Sequence, residues 1–301
     1  MSNIVFNKKN IVNTKNNSEL IYKLPNTVTF SEDDEIGLSQ LNIYYSWFNI
    51  SVANQNNFYQ YLWFDMAGNL TQLHDILMPD GLYSIQDINE FLISRLVSNG
   101  HYLALKSDPS SYVHFIEFLT NPTYYAIEIR LSSMSNGMMT IGNRIPTLAA
   151  DLFIDPIGWI LPTTYQTPQL LIPANNKFGE LIGFNSGYIV PSNVSNVVNR
   201  QYLLLNDFTA NMQPQNSFII TCNLVKNKLA TPNNVLSSFS GGDVDFGELI
   251  THSSDGNMMS SISPGSYTEI TLNILDQDYK PLNILDGNML IVLSIKINKK
   301  N

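Results

Sequence analysis

Apolar and polar residues alternate in short runs along much of the chain, and Asn, Gly, Ser and Pro interrupt those runs at close intervals. Alternation with a period of two marks a strand with one buried face. It is clearest at 266–275, where Thr268, Ile270, Leu272 and Ile274 share one face and Tyr267, Glu269, Thr271 and Asn273 the other. At 289–297, Met289, Ile291, Leu293, Ile295 and Ile297 line up in the same way. The β-branched and aromatic content predicts further strands at 19–30, 40–52, 58–64, 216–225, 234–239 and 245–251. In 40–52 the alternation places Leu41, Ile43, Tyr45 and Trp47 together, and in 19–30 Pro25 suits an edge or a break.

One stretch changes period. Ile85, Ile88, Phe91, Leu92 and Leu96 form a stripe at helical spacing. Ser84 and Asp87 have the spacing of a capping box, and Asn99-Gly100 supplies a stop. These signals predict a helix over 85–97. Strands are expected after it at 101–106, 112–119 and 123–131, the last with Tyr125, Ile127, Ile129 and Leu131 on one face. Residues 132–200 mix turn signals with short apolar pieces and give no clear element.

Mostly antiparallel strands without β-α-β alternation point to a mainly β fold, a sandwich or jelly roll. The expected organisation is a first jelly-roll part at 1–66, an α+β insertion domain at 67–200 and a second jelly-roll part at 201–301. Phe-Gly-Glu-Leu-Ile occurs at both 178–182 and 246–250, and Asn-Ile-Leu-Asp at 273–276 and 283–286. Neither extends into a period that would make a repeat architecture.

Composition narrows the function classes. Of 301 residues, 14% are charged, against roughly 25% in an average soluble domain. Neutral polar residues take their place, with 37 Asn. The net charge of −9 disfavours a general nucleic-acid binder or a polybasic membrane binder. No apolar run has the length of a membrane span, and the N-terminus shows no signal-peptide core. The single Cys222 excludes an intrachain disulfide and reads as a small buried strand residue. Residues 1–23 and 296–301 each carry +3, which leaves −15 on residues 24–295. The basic ends read either as frayed, solvated termini or as tails that are disordered alone and order against something acidic, such as a partner or packaged nucleic acid.

Candidate chemistry is sparse. The G-x-S-x-G, H-E-x-x-H, P-loop, G-x-G-x-x-G and C-x-x-C patterns are all missing. His74, His101, His114 and His252 have no metal-ligand spacing, and surface exposure is enough to explain three of the four. Asp276 and Asp278 resemble the start of a calcium loop, but Tyr279-Lys280-Pro281 breaks the pattern, so a hairpin turn is expected. Asp243 and Asp245 read as a solvated turn, and Glu32-Asp33-Asp34-Glu35 as an exposed acidic loop. Trp159, Tyr165 and Tyr188 are candidates for stacking on sugars, weighed against core packing. No catalytic, cofactor-binding or metal-ligating residue is singled out, and no enzyme is expected.

Several segments occur in a familiar order. Leu24-Pro25 and Val28-Thr29-Phe30 precede the aromatic strand Leu41 to Ile50. Pro79-Asp80-Gly81-Leu82-Tyr83-Ser84, the block Phe178 to Phe184 and Thr221-Cys222-Asn223-Leu224-Val225 follow. Ile274-Leu275-Asp276-Gln277 and Leu285-Asp286-Gly287 close the series. This order resembles the penton, or minor capsid, proteins of virophages and Polinton/Maverick-type viruses, and most of all a Mavirus-like virophage penton. The resemblance implies a single jelly roll forming a homopentamer at the five-fold vertices of an icosahedral capsid, beside a double-jelly-roll major capsid protein. It implies a virion location with assembly in the host cytoplasm, and no cofactor or catalytic residues. An insertion on the outer face is common in such pentons, and a host receptor is a candidate partner for it. The alternative expectation is a viral receptor- or glycan-binding β-sandwich module.

Overall fold

The computed structural model describes residues 2–105, 108–139, 147–148, 158–189, 201–213, 215, 217–241, 244–253 and 258–298. The chain divides into two compact units: Met1–Phe48 with Gln215–Asn301, and Asn49–Pro214.

The first unit contributes β1 (Ser2–Asn7), β2 (Ile11–Lys15), β3 (Glu19–Phe30) and β4 (Glu35–Tyr44). The chain then enters the second unit. There it forms β5 (Phe58–Phe64), β6 (Leu70–Leu77), α1 (Ile85–Ser98), β7 (Leu103–Leu105), β8 (Asp108–Val113), β9 (Ile116–Asn121) and β10 (Ala126–Ser132). β11 (Met138–Met139), β12 (Thr147–Leu148), β13 (Gln169–Ile172), α2 (Phe178–Ile182), β14 (Gly187–Ile189) and β15 (Gln201–Leu205) complete it. Back in the first unit follow β16 (Ser217–Cys222), β17 (Val235–Ser240), β18 (Leu249–Ser253), β19 (Ser260–Ser261), β20 (Gly265–Asp276) and β21 (Met289–Lys296).

In the first unit the sheet orders are β1-β21-β4-β18 and β17-β16-β20-β3-β2, with β19 added to β4. β1 with β21, β3 with β20, β4 with β18 and β16 with β17 are antiparallel pairs nested one inside the next along the chain. Two facing sheets wound from four nested antiparallel pairs are a jelly roll. The second unit is inserted between β4 and β16. Side chains from both sheets close the core: Phe6, Leu41 and Ile291 from one, Leu20, Leu272 and Phe218 from the other. Ile270, Leu272 and Ile274 are fully buried, as their alternation requires.

Several expectations are corrected. Phe58–Phe64 pairs with β6 and β13 inside the second unit, so it is not a roll strand. The N-terminus takes its place. Ser2–Asn7 pairs with β21, Phe6 is fully buried, and Ile11–Lys15 pairs with β3. The basic N-terminal segment is therefore built into both sheets, and Lys296 belongs to β21. The 40–52 strand ends at Tyr44, although Trp47 still enters the core. Pro25 lies in the irregular stretch between the pairs Lys23↔Glu269 and Val28↔Tyr267, and β2 reaches only as far as Tyr22. Its missing N–H costs least at such a break.

The second unit holds a β14-β13-β5-β6 sheet and a β15-β10-β9 sheet, with one continuous apolar core. Helix α1 starts at the expected cap: Ser84 accepts from the Asp87 backbone and Asp87 accepts from the Ser84 backbone. Its stripe Ile85, Ile88, Leu92 and Leu96 is buried. Asn89 on the helix accepts from the Phe118 N–H of β9 at 2.8 Å. The two Phe-Gly-Glu-Leu-Ile segments adopt different structures, the short helix α2 and a turn leading into β18.

Candidate interaction surfaces and the polar core of the insertion

The β1-β21-β4-β18 sheet buries alternate side chains and turns the others outward. The outward set includes Val5 and Asn7 on β1, Leu290 and Val292 on β21, and Gln40 and Asn42 on β4. β18 adds Leu249 and Thr251. None of these side chains is charged, in a chain whose net charge is −9. The face is flanked by charge: Lys8 and Lys9 stand on the turn after β1, and Lys296 pairs with Glu35 at 2.8 Å at the opposite end. Asn10 fixes that turn by accepting from Asn7 N at 2.8 Å and donating to Val5 O at 2.6 Å. A shallow groove of about 500 Å³ lies beside it, lined among others by Lys8, Lys9, Asn42, Tyr44 and Leu290. The opposing sheet is different, since Glu19, Lys23 and Glu269 face outward from β3 and β20.

The acidic run at 32–35 is not wholly a solvated loop. Asp34 is buried and accepts from the backbone N–H of Ser31 at 2.7 Å and of Asn298 at 2.9 Å. Hydrogen bonding, the Ser31 backbone first, holds its carboxyl below the usual carboxylate range against the opposing effect of burial. Asp276 organises a turn by accepting from the N–H of Asp278 and of Lys280, both at 2.9 Å. Cys222 is fully buried, and burial pushes its thiol up to about 12, far from a reactive thiolate. Asp243 lies outside the described residues, and Asp245 is exposed. Among the described residues no three His, Cys, Asp or Glu side chains converge to hold a metal.

Surface exposure does not account for His101 in the second unit. Its ring is buried, stacked on Trp63 at 4.8 Å between centroids and edge-on to His74 at 4.5 Å. His74 in turn stacks on Tyr61 at 5.0 Å. Asn99 Nδ2 donates to the Tyr61 hydroxyl at 2.7 Å, and that hydroxyl lies 2.9 Å from His101 Nδ1. Burial lowers the basicity of His101 to about 3, with the neighbouring His74 adding to the effect. Burial also lowers His74, partly offset by Asp75, and lowers His114. Nothing in this cluster supplies a nucleophile with a base and an oxyanion donor.

The sugar-stacking candidates also change. Trp159 is buried and donates its indole N–H to Gly100 O at 2.9 Å, so it is a core residue. Tyr165 is half-buried and Tyr188 is exposed. The most exposed aromatics are instead Tyr124 and Tyr125, at 69% and 82%, on the turn joining β9 to β10. Tyr125, expected inside a strand, adopts φ 49° there. An aromatic residue in the left-handed region is a strained choice. Asn121-Pro122 is a local turn signal, and Asn121 organises the turn by accepting from the N–H of Thr123 and Tyr124.

No protein-family model and no curated protein matches the sequence. Solved structures do. The chain is similar to the mavirus penton protein. The likeness has 12% identity, 98% of each chain covered and a TM-score of 0.40. A chain of the Sputnik virophage structure is also similar, at 10% identity and a TM-score of 0.36, over 99% of this chain and 98% of that one. Among the described residues no helix is long and apolar enough to cross a membrane.

Proposed function

We propose that the protein is a structural component of a viral capsid, a penton that forms a homopentamer and closes the five-fold vertices of an icosahedral shell. The observation that carries this reading is the uncharged outer face of the β1-β21-β4-β18 sheet on a jelly roll whose chain is otherwise acidic. Like-charged copies repel, and burying charge at a contact costs far more than burying Asn, Gln or Thr. An outward sheet face without charge therefore suits contact with further copies around a closed ring. The ordered motifs shared with virophage pentons point the same way. In this reading the double-jelly-roll major capsid protein surrounds the ring, the site of action is the virion, and assembly takes place in the host cytoplasm. The protein acts by assembly, with no catalytic step.

Mass photometry of the purified chain, alone and with its major capsid protein, tests this. Particles near five times 33.9 kDa are expected. Monomers or trimers under both conditions contradict it. A second reading, a receptor- or glycan-binding module, is favoured by the exposed Tyr124-Tyr125 tip, since tyrosines give large contact area at low entropic cost. A glycan-array signal lost on Tyr124→Ala and Tyr125→Ala would support it, and no signal in the intact protein would remove it.

A further inference from the structure

The hydrogen-bond chain through Tyr61 has a fixed direction. Asn99 Nδ2 can only donate, so the Tyr61 oxygen accepts from it and turns its single hydrogen toward His101 Nδ1. His101 must then accept at Nδ1, which makes it the neutral tautomer with its proton on Nε2. A second proton would go to Nδ1, against the tyrosine hydrogen, and would leave that hydrogen without an acceptor. The new charge would lie at the edge of His74, and the attraction of the Trp63 face offsets only part of the cost. His74 gives no relief, because its buried Nε2 has no hydrogen-bond partner among the described residues. Protonation there creates an unpaired buried N–H beside a second cation.

We infer that the Tyr61–His101–His74 cluster is an acid-sensitive latch. It holds the second unit closed at neutral pH and releases its core in mild acid, while the jelly roll stays folded. The groups facing the pair are few. β5 brings Tyr59 and Tyr61, and β6 brings Asp75, whose Oδ1 accepts from Gln60 Nε2 at 2.7 Å. Asp75 favours the protonated form of His74, and burial outweighs it. Asn99 and Trp159 bring no charge.

The sign follows from linkage. A histidine whose basicity is depressed on folding takes its proton more readily in the open state. The closed form is therefore at full strength above about pH 6.5, the ordinary histidine value, and weakens as pH falls toward 3. Held neutral, His101 shifts the closed–open equilibrium by about tenfold per pH unit in that range, and His74 acts in the same direction. Carboxylates do not confuse the readout. Asp34, Asp65 and Asp87 are all held below 3.8, so their contributions are lost only below that value.

Hydrogen exchange of the full chain at pH 7.0 and pH 5.0, corrected for intrinsic rates, tests the latch. Peptides covering β5, β6 and β13 should lose protection by about tenfold or more. Peptides covering β20 and β21 should hold theirs. His101→Gln and His74→Gln, which cannot take a proton, should flatten the response. If neither variant folds, the His101 Cε1–H resonance of the wild type decides: titration that tracks the loss of protection in the second unit supports the latch. A midpoint near 6.5 with the second unit still protected overturns it. Equal change in both units, no change in either, or acid loosening that persists in full in both variants overturns it as well.

Discussion

The two units solve the problem of buried polarity in opposite ways. The jelly roll fills its interior mostly with aliphatic side chains, joined by Phe6, Trp47 and Phe218, and gives its buried carboxylate, Asp34, two backbone donors. The insertion instead packs Tyr59, Tyr61, Trp63, His101 and Trp159 against one another. Of the seven buried side-chain polar atoms without a partner among the described residues, five lie in the insertion, on Tyr59, Trp63, His74, His114 and Arg130. Each such atom forfeits about 1–3 kcal/mol relative to a paired one. The proposed latch therefore places the acid response in the insertion rather than in the roll.

Neighbouring residues on β1 offer the sharpest way to break this comparison. Phe6→Ala should destabilise the jelly roll by about 3–5 kcal/mol, since Phe6 is fully buried. A urea titration followed at Trp47 measures it, and an unchanged midpoint would mean that the N-terminus is a frayed tail after all. Val5→Glu, one residue away and 38% exposed, should leave the monomer within about 0.5 kcal/mol of wild type. It should abolish ring assembly, because it places a charge in the uncharged face. Wild-type oligomer masses for Val5→Glu would separate the outer face from any assembly role.

Inside the insertion, Ser84→Ala removes the helix cap and should cost about 1 kcal/mol, seen as lost protection of α1 with the roll unaffected. The smallest effect belongs to the surface. Lys296→Ala deletes the ion pair with Glu35 and should cost no more than about 0.5 kcal/mol, falling further in high salt. A larger loss would show that the charged end of the sheet contributes to the fold.

Much of the roll could be read from local pattern, because β20 and β21 bury every second residue and nothing interrupts them. Helix α1 was legible for a similar reason: Ser84, Asp87 and the apolar stripe all lie within 13 residues of one another. β1 was hidden by Lys8 and Lys9, whose charge suggested a tail, although Ile4 and Phe6 already alternate with Asn3 and Val5. Phe58–Phe64 looked like a roll strand because strand propensity does not say which partner a strand will find. The histidine cluster and the burial of Trp159 were not legible, since Tyr61, His74, His101 and Trp159 meet only through long-range pairing. The uncharged face lies between these cases: low charge was visible in the composition, but its gathering on one sheet face depends on the register of β1, β21, β4 and β18.

The claim that most depends on all of this is a ring of five copies. Rotational-symmetry analysis of electron-microscope images of the purified assembly tests it most directly. Five-fold averages for the wild type that disappear in Val5→Glu are the predicted result. Three-fold averages, or five-fold averages retained in Val5→Glu, would contradict it.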